Sequence, residues 1–494
     1  MLHPDLKNKE FPYKDITLVP NRLPDFERDE VDLTTDFTKK TKLKTPLVSS
    51  PMDTVTESEM AILMALFGGI GVIHYNFPSI EEQISEAEKV KRFEAGFVKK
   101  PICLSPSNKV EDIYKINERY GFFSAPITED GTLKSKLLGI VTHRDVRYQK
   151  NMKLPLKKVM TPKEKLIVAY RKNTLDKNDI EAANKIIQKN NLDTLPIVDE
   201  NFKLVALVTD SDLRKNEAYP LATKDKNKQL KVFIAVESRL DLAKERIKKG
   251  CEVGIDGIVI DAGIVYREQI EIAKYTKKKF PCLEVVLGNI DSGQMLKEIL
   301  KETRDSVDGL KIGVGPGAAC ITQQELGTGR AQASAVYDCA QTAKKLTGKY
   351  GKIPLCADGG IKILNNPDSD INKPGDITKA LSLGSQTVML GSLLAGLDEA
   401  PGEKEYDYKE EKMVKKYRGM GSPEAMRTRS SVRYGIDKTK IKIAEGKEIK
   451  IPYRGSGYDF VPRLIAGIKQ SFQKQGFRNI GELQKYADIR PLPE

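Results

Sequence analysis

Residues 257–289, GIVIDAGIVYREQIEIAKYTKKKFPCLEVVLGN, contain the pattern on which the fold depends. An apolar run at 257–262 is followed by REQIEIAKYTKKK, whose apolar residues recur with helical spacing, and then by a second apolar run at 283–289. Apolar runs joined by amphipathic helices are typical of parallel strands whose faces are covered by helices. The stretch therefore predicts a strand–helix–strand unit.

The same alternation extends over most of the chain. The intervening helical stretches include ESEMAILMALF, RLDLAKERIKKG and AQASAVYDCAQTAKKL. Eight such strands predict an α/β protein with a (β/α)₈ TIM barrel, and a doubly wound open sheet is the alternative fold. The eight runs lie at 46–50, 68–74, 231–237, 257–262, 283–289, 309–315, 353–360 and 387–392.

An internal repeat interrupts this pattern after its second strand–helix unit. Residues 121–147 and 191–214 each contain a proline, a β-branched strand, an acidic turn and a second apolar strand. Each copy ends in Thr-x-x-Asp, at Thr142 and Asp145 and at Thr209 and Asp212. The repeat resembles a pair of CBS modules, which implies that these side chains hold the ribose of an adenine nucleotide. The alternative is a helix N-cap, a position that Thr and Asp favour.

These features predict the domain boundaries. The first part of the barrel is expected at 1–99, and the inserted pair at 100–217, divided into about 100–158 and 159–217. The second part of the barrel is expected at 218–494, and it includes an active-site flap at about 403–455.

Composition excludes several classes of protein. Three scattered histidines, His3, His74 and His143, are too few and too far apart for a multi-histidine metal centre. Six cysteines without a CxxC pair form neither a zinc site nor a disulfide framework, so reduced thiols and a cytoplasmic location are expected. The net charge of +13 fits an anionic substrate, although a lysine-rich surface explains most of it.

Neither a membrane nor a nucleic acid is expected as the main partner. The first residues, MLHPDLKNKEF, lack the apolar core of a signal peptide. The longest apolar stretch, at 387–397, is too short to span a bilayer. Zinc, helix-turn-helix and aromatic-interleaved motifs for nucleic acids are absent from the sequence.

Polar or glycine residues follow most of the predicted strands. In a barrel these positions meet at the carboxyl-terminal face, where active sites are built. The site is therefore expected to draw on nearly the whole chain. The residues are Ser50, His74, Asp261, Asn289, the glycines at 313–317, Asp358, Gly391 and Ser392.

Cys320 is the candidate nucleophile. It follows a glycine-rich turn, Gly313-Val314-Gly315-Pro316-Gly317, whose backbone permits close approach to a ligand. A thiolate in such a loop adds to an electron-poor carbon. The other cysteines, Cys103, Cys251, Cys282, Cys339 and Cys356, are expected to be small buried hydrophobic residues.

Two further segments indicate a nucleotide site. Asp358-Gly359-Gly360 and Gly391-Ser392 end the seventh and eighth strands, where barrels commonly bind phosphate through backbone amides. Asp358 repels phosphate and is therefore expected to accept hydrogen bonds from ribose hydroxyls. The glycine-rich, basic segment at 415–455 predicts a flap that excludes water.

Together the motifs resemble the inosine-5′-monophosphate dehydrogenase family over residues 11–485. They are LVSSPMDTVTE, GGIGVIH, GVGPGAACITQ, GRAQASAVYD, ADGGI, VMLGSLLAG, APGE and KKYRGMGS, with Arg433-Tyr434 and the inserted pair. The resemblance implies oxidation of IMP to XMP with NAD⁺ through a covalent cysteine thioimidate, the committed step of guanine nucleotide synthesis. It also implies a homotetramer, with octamers formed through the CBS pairs, and adenine or guanine nucleotides as ligands of those pairs.

The resemblance also implies roles for single residues. Cys320 would attack C2 of the purine, Thr322 would position the hydrolytic water, and Arg433, beside Tyr434, would be the base. Because free arginine stays protonated to about pH 12, a relay is the alternative base. The implied substrate residues are Ser50, Met52, Asp358, Gly359, Gly360, Gly391, Ser392, Tyr417, Gly419, Met420, Gly421 and Glu445. Those for NAD are Asp261, Asn289, Gly313, Val314 and Gly315, and potassium would bind the carbonyls of Gly315, Gly317 and Cys320.

The chain departs from the family pattern in three places. Ala318 replaces a phosphate-binding serine, and the loop at 262–265 lacks two serines and a glycine. The ending RPLPE lacks the tail that completes the potassium site, so weaker potassium dependence is expected. Two alternatives follow: a GMP reductase using NADPH, which Arg433-Tyr434 disfavours, and an inactive nucleotide-sensing regulator, which the intact Cys320 and Thr322 disfavour.

Overall fold

A computed structural model describes residues 2, 3, 6, 9–93, 98, 101–176, 179–209, 218–361, 374–427 and 443–492. The chain forms two compact units. The first contains Met1–Lys91, Leu221–Thr223 and Leu230–Glu494, and the second contains Arg92–Pro220 and Lys224–Gln229.

The first unit is built on a closed barrel of eight parallel strands. All eight apolar runs of the sequence form its strands, in chain order, so the predicted barrel is confirmed. Each strand pairs with its neighbours in sequence, and β8 closes the barrel against β1. The strands are β1 (Leu47–Ser49), β2 (Ile70–Ile73), β3 (Phe233–Val236), β4 (Gly257–Asp261), β5 (Glu284–Ile290), β6 (Gly309–Ile312), β7 (Leu355–Asp358) and β8 (Thr387–Leu390).

The barrel strands are buried on both faces, which explains why they are continuous apolar runs. Inside the barrel, Val72, Phe233, Val259 and Val286 belong to one hydrophobic cluster. The helices that follow the strands cover the outside. Their bounds are Ser58–Leu66, Ile80–Arg92, Leu240–Val253, Arg267–Lys279, Gly293–Thr303, Gln332–Tyr350, Pro374–Ser382 and Ser392–Ala395, followed by Gly457–Gln475 and Ile480–Tyr486.

Smaller sheets surround the barrel. Lys404–Asp407, Lys412–Arg418 and Glu448–Pro452 form a three-stranded antiparallel sheet within the predicted flap segment. Ile16–Val19 pairs with Asp488–Pro491, so residues near both ends of the chain form one two-stranded sheet. A second pair consists of Thr35–Asp36 and Lys42–Leu43.

The second unit contains the repeat, each copy of which has a helix and an antiparallel strand pair around its own core. In the first copy these are Val110–Tyr120, Ala125–Thr128 and Leu137–Val141, with Thr161–Pro162 added and a short helix at His143–Val146. In the second they are Ile180–Asn190, Thr194–Val198 and Leu204–Thr209, with Ala169–Tyr170 added.

The first Thr-x-x-Asp element forms a helix capping box. The backbone N–H of Thr142 donates to Asp145 Oδ2 at 2.7 Å, and its hydroxyl donates to the same atom at 2.9 Å. This is the geometry of the N-cap alternative. Asp212 of the second element lies outside the described residues.

The cysteines only partly follow expectation. Cys339 and Cys356 are buried, but Cys103 and Cys251 are intermediate and Cys282 is exposed, so the expectation of burial was wrong for those three. Cys282 lies in the connection before β5, which runs over the surface. Among the helices that the structure describes, none combines the length and the apolar character of a membrane span.

Candidate active site

The carboxyl ends of the barrel strands surround an open cleft. The residues that line it come from both parts of the barrel and from the flap segment. They are Ser50, Met52, Asp261, Gly263, Asn289, Lys311, Gly313, Gly315, Pro316, Gly317, Ala319, Cys320, Thr322, Asp358, Gly359, Gly391, Tyr417, Gly419, Met420, Gly421 and Glu445.

The loop after β6 presents Cys320 to the cleft. Gly313 has a φ of +138°, and a Cβ there would lie 2.3 Å from the carbonyl oxygen of Asp358. A side chain at this position would therefore separate β6 from β7. The turn then brings the backbone N–H of Cys320 to the carbonyl of Gly317, to which it donates at 3.2 Å.

Glu445 reaches Cys320 through Thr322. The Thr322 hydroxyl lies 3.2 Å from the Cys320 sulfur and donates to Glu445 Oε2 at 2.9 Å. Because a hydroxyl both donates and accepts, this line of groups provides a path for a proton between the sulfur and the carboxylate.

Backbone pairing holds Glu445 in this place. The N–H of Ile321 donates to the Glu445 carbonyl at 2.9 Å, and the N–H of Lys447 donates to the Ala319 carbonyl at 2.9 Å. Glu445 N–H in turn donates to the Gly421 carbonyl at 3.0 Å. The segment around Glu445 thus pairs with the loop that contains Cys320, through an isolated antiparallel bridge between Cys320 and Gly446.

A buried lysine, which the sequence analysis missed, joins the acidic side of the cleft. Lys311 Nζ donates to Asp261 Oδ1 at 3.0 Å and to Asp358 Oδ2 at 2.6 Å, and it also contacts the side-chain oxygen of Asn289. Asn289 Nδ2 donates to Asp358 Oδ2 at 2.9 Å. A charged residue inside the apolar strand GLKIGVG was the signal that could have found it.

The loop at 262–265 remains paired with β5 despite its unusual sequence. Ala262 N–H donates to the Gly288 carbonyl at 3.0 Å, and Asn289 N–H donates to the Ala262 carbonyl at 3.2 Å. Val265 N–H donates to the Asn289 carbonyl at 3.1 Å. Gly263 therefore lies at the wall of the cleft, beside Asp261.

Tyr417 closes another side of the cleft. Its hydroxyl lies 3.4 Å from the Met52 sulfur, and a Cβ on Gly391 would lie 2.6 Å from that hydroxyl. Burial raises the pKa of Tyr417, and the nearby Asp358 and Cys320 raise it further, so the phenol stays protonated at neutral pH. The backbone amide of Ser392 offsets part of this rise in the pKa.

An ion pair holds the loop that follows Tyr417. Arg418 Nη2 donates to Asp53 Oδ2 at 2.7 Å, and Asn76 Nδ2 donates to the same oxygen at 2.7 Å. Asn76 also donates to the Ala425 carbonyl at 3.3 Å. These bonds fix both ends of the segment that contains Gly419, Met420 and Gly421.

Most of the expected site residues meet in this cleft. Gly360, Ser392 and Val314 do not line it, although Gly360 follows Gly359 with a similar positive φ of +82°. Arg433 and Tyr434 lie outside the described residues. Within the described part of the chain, no group of three or more His, Cys, Asp or Glu side chains is arranged to hold a metal.

Comparison with known proteins gives consistent matches. The family model for the IMP dehydrogenase / GMP reductase domain matches residues 10–492. An inosine-5′-monophosphate dehydrogenase from Schizosaccharomyces pombe is 40% identical, over 96% of this chain and 87% of that protein. An inosine-5′-monophosphate dehydrogenase from Aquifex aeolicus is 38% identical, over 99% of this chain and 94% of that protein.

The fold comparison points to the other branch of the same family. A GMP reductase from Trypanosoma brucei, solved with guanosine 5′-monophosphate, has a TM-score of 0.85 and 29% identity, covering 98% of this chain and 96% of that chain. The same enzyme solved with guanosine 5′-triphosphate has a TM-score of 0.77 and 28% identity, covering 98% of both chains.

Proposed function

The chain belongs to the IMP dehydrogenase / GMP reductase family, and from this premise we propose that it oxidises IMP to XMP with NAD⁺. The observation that carries the proposal is Cys320, at the mouth of the barrel, in contact with Thr322 and through it with Glu445. The dehydrogenases among its relatives reach 38–40% identity over nearly the whole chain.

The chemistry proceeds on the sulfur of Cys320. The thiol proton passes through the Thr322 hydroxyl to Glu445 and from there to solvent, and the sulfur bonds to C2 of the purine, an electrophilic carbon between two nitrogens. NAD⁺ held beside Asp261 and Asn289 would supply the acceptor for the hydride that leaves C2. Water then attacks C2, the C2–S bond breaks, XMP is released and the thiol is restored.

The cleft offers groups suited to each part of IMP. Asp358 accepts from the ribose hydroxyls, and the glycine backbones at Gly359 and Gly391 receive the phosphate. Glu445 accepts from a ring N–H. Purine contacts are assigned to Ser50, Met52, Tyr417, Gly419, Met420 and Gly421, all of which line the cleft.

The neighbouring part of the cleft suits the dinucleotide. Asp261 and Asn289 are fixed by Lys311, and Gly263 and Gly313 leave room beside them. We assign these residues to NAD⁺. The Gly315, Gly317 and Cys320 carbonyls are assigned to potassium, and replacing K⁺ by Na⁺ in the assay tests that assignment.

Glu445 is the proton acceptor that the described residues favour for hydrolysis. Its bond to Thr322 leads to the sulfur-bound carbon, and a carboxylate can accept a proton at neutral pH, where arginine is already protonated. Arg433, with Tyr434 beside it, is the alternative base that the family resemblance supplies.

A direct assay tests the function. Purified protein with IMP and NAD⁺ is expected to form NADH, observed by its absorbance, together with XMP. Activity only with GMP and NADPH would identify the reductase, the activity named for the T. brucei enzymes with the same fold. Failure of both reactions would favour the nucleotide-sensing regulator.

The proposal also includes ligands for the second unit and an oligomeric state for the protein. We assign adenine or guanine nucleotides to the repeat, and calorimetry with ATP and GTP tests this. A homotetramer is expected by light scattering. The free cysteines among the described residues favour a reducing, cytoplasmic setting.

A further inference from the structure

Lys311 lies on β6 and is 1% exposed, although its side chain carries a charge. The strand register explains which groups it meets. Asp261 on β4 pairs with Gly288 on β5, and Gly288 pairs with Lys311 on β6. Aspartate and lysine therefore occupy one level of the barrel, with a glycine on the strand between them.

Gly288 makes room for the lysine. A Cβ on Gly288 would lie 2.5 Å from the Cβ of Lys311, closer than two carbon atoms approach without a bond. Because glycine has no side chain, the lysine passes over β5 and its ammonium reaches Asp261 at 3.0 Å.

The same ammonium contacts a second carboxylate on its other side. Asp358, at the end of β7, accepts from Lys311 Nζ at 2.6 Å. Among the described residues that line the cleft, Lys311 is the only lysine or arginine, whereas Asp261, Asp358 and Glu445 are acidic. One cation therefore separates two carboxylates that are assigned to different ligands.

We propose that Lys311 is a positioning residue for the nucleotide: it keeps Asp358 oriented for the ribose while it shields Asp358 from the charge of Asp261. The inference rests on the proposed function, because it assigns Asp358 to the ribose of IMP. Lys311 acts through the two carboxylates.

Removing the ammonium has a consequence that depends on pH. Two adjacent carboxylates without a cation raise each other's pKa, so one of them keeps its proton at low pH. As the pH rises both ionise, and repulsion disturbs Asp358 and opposes the anionic nucleotide. Among the described residues, titratable groups that face this cluster include Cys320, Cys356, Tyr417 and Glu445.

The matched control is Lys91, a buried lysine elsewhere in the barrel unit. It is 2% exposed, and its Nζ donates to Asp256 Oδ2 at 2.9 Å and to the Leu230 carbonyl at 3.0 Å. Asp256 precedes β4, so this pair lies at the opposite end of the strand from Asp261. Lys91→Met removes a buried ion pair without touching the cleft.

The experiment measures the Kd of IMP by calorimetry from about pH 5.5 to about pH 8.5. This range contains the pKa of a carboxyl group that a neighbouring negative charge has raised. No dinucleotide is added, so turnover is not required. Lys311→Met is expected to bind IMP about tenfold more weakly than the unmodified protein at the highest pH, and the loss should be smaller at the lowest pH. Lys311→Arg keeps the cation and should restore most of the affinity, and the ratio of its Kd to that of the unmodified protein should not change with pH. Lys91→Met should bind IMP normally.

A double variant keeps the test decisive if Lys311→Met does not fold. Combining Lys311→Met with Asp261→Asn removes one of the repelling charges, and it is expected to bind IMP about as well as Lys311→Arg. Weaker binding by the double variant than by Lys311→Arg at every pH would overturn the inference. So would unchanged affinity in Lys311→Met, or a loss that does not vary with pH.

The two proposals fail in different ways. If the unmodified protein binds IMP but forms no NADH, the dehydrogenase is wrong and the calorimetric result still decides the role of Lys311. If the unmodified protein does not bind IMP, both proposals are wrong. If it forms NADH and Lys311→Met binds IMP normally, only the inference fails.

Discussion

Thr322 and Glu445 are 123 positions apart in the chain, and the hydroxyl of the first donates to the carboxylate of the second at 2.9 Å. The same hydroxyl lies 3.2 Å from the sulfur of Cys320. The bond therefore joins the loop after β6 to the far end of the flap segment, and it places a carboxylate two contacts from the sulfur of the candidate nucleophile.

Replacing Glu445 with glutamine tests this arrangement. Glutamine retains an oxygen for Thr322 but does not accept a proton, so kcat is expected to fall about 100-fold or more. The KM for IMP should change much less than kcat. Steady-state NADH formation measures both, and an unchanged kcat would exclude Glu445 as the acceptor. Glu411→Gln, at an exposed turn position outside the cleft, is the control.

Cys320→Ala is expected to abolish turnover while IMP still binds, because the remaining contacts of the cleft are retained. The readouts are NADH formation and calorimetry. Cys282→Ala is the matched control, since that thiol is exposed and outside the cleft. Turnover by Cys320→Ala at the unmodified rate would refute the covalent mechanism.

Gly288→Ala tests the space that Lys311 needs. The new Cβ would lie 2.5 Å from the Lys311 Cβ and 2.8 Å from its carbonyl oxygen, so we expect a loss of about 1–3 kcal/mol from overpacking, together with weaker IMP binding. The measurements are thermal unfolding and calorimetry. In the helix Gln332–Tyr350, Gly348→Ala meets nothing within 4 Å and should be neutral or stabilising. Equal behaviour of the two variants would contradict the prediction.

Arg418→Met should release the loop that contains Gly419, Met420 and Gly421. Asp53 is 5% exposed and would lose a charged partner, so the KM for IMP is expected to rise about tenfold. Arg490→Met is the control, because its pair with Asp488 is exposed to solvent and contributes little. A KM that does not change would show that this ion pair does not position the loop.

The buried thiol of Cys356 is expected to lower the free energy of unfolding at alkaline pH. Burial raises the pKa of its thiol from 9.0 to about 12, so the folded protein retains a proton that the unfolded chain releases. The stability that the protonated thiol contributes is complete below pH 9 and is lost as the pH rises towards 12. Cys356→Ala should flatten the decline by up to about 1.4 kcal/mol per pH unit. Thermal unfolding between about pH 8 and about pH 10.5 measures the slope, with Cys282→Ala as the control. Parallel slopes in all three proteins would contradict the prediction.

Periodicity was enough to predict the barrel, because eight buried parallel strands require eight continuous apolar runs. Motifs at the strand ends located Cys320, Asp261, Asn289 and Asp358, since the carboxyl ends of parallel strands meet at one face. The exposure of Cys282 was mispredicted, because the type of residue does not determine which side of a surface connection it occupies.

The sequence pattern did not predict the role of Lys311. GLKIGVG predicts an apolar strand, but the partners of its lysine are 47 and 50 positions away in the chain. Those partners become neighbours only through the register of β4 to β7.

The amino-acid sequence by itself determined the alternation of strands and helices, the family and the candidate nucleophile, because each depends on local periodicity or on a short motif. The tertiary structure decided which charges meet. Barrel closure and register place Lys311 between Asp261 and Asp358, and backbone pairing brings Glu445 to Thr322. Such contacts join distant segments, and their energies depend on burial and separation, which arise only when the chain folds.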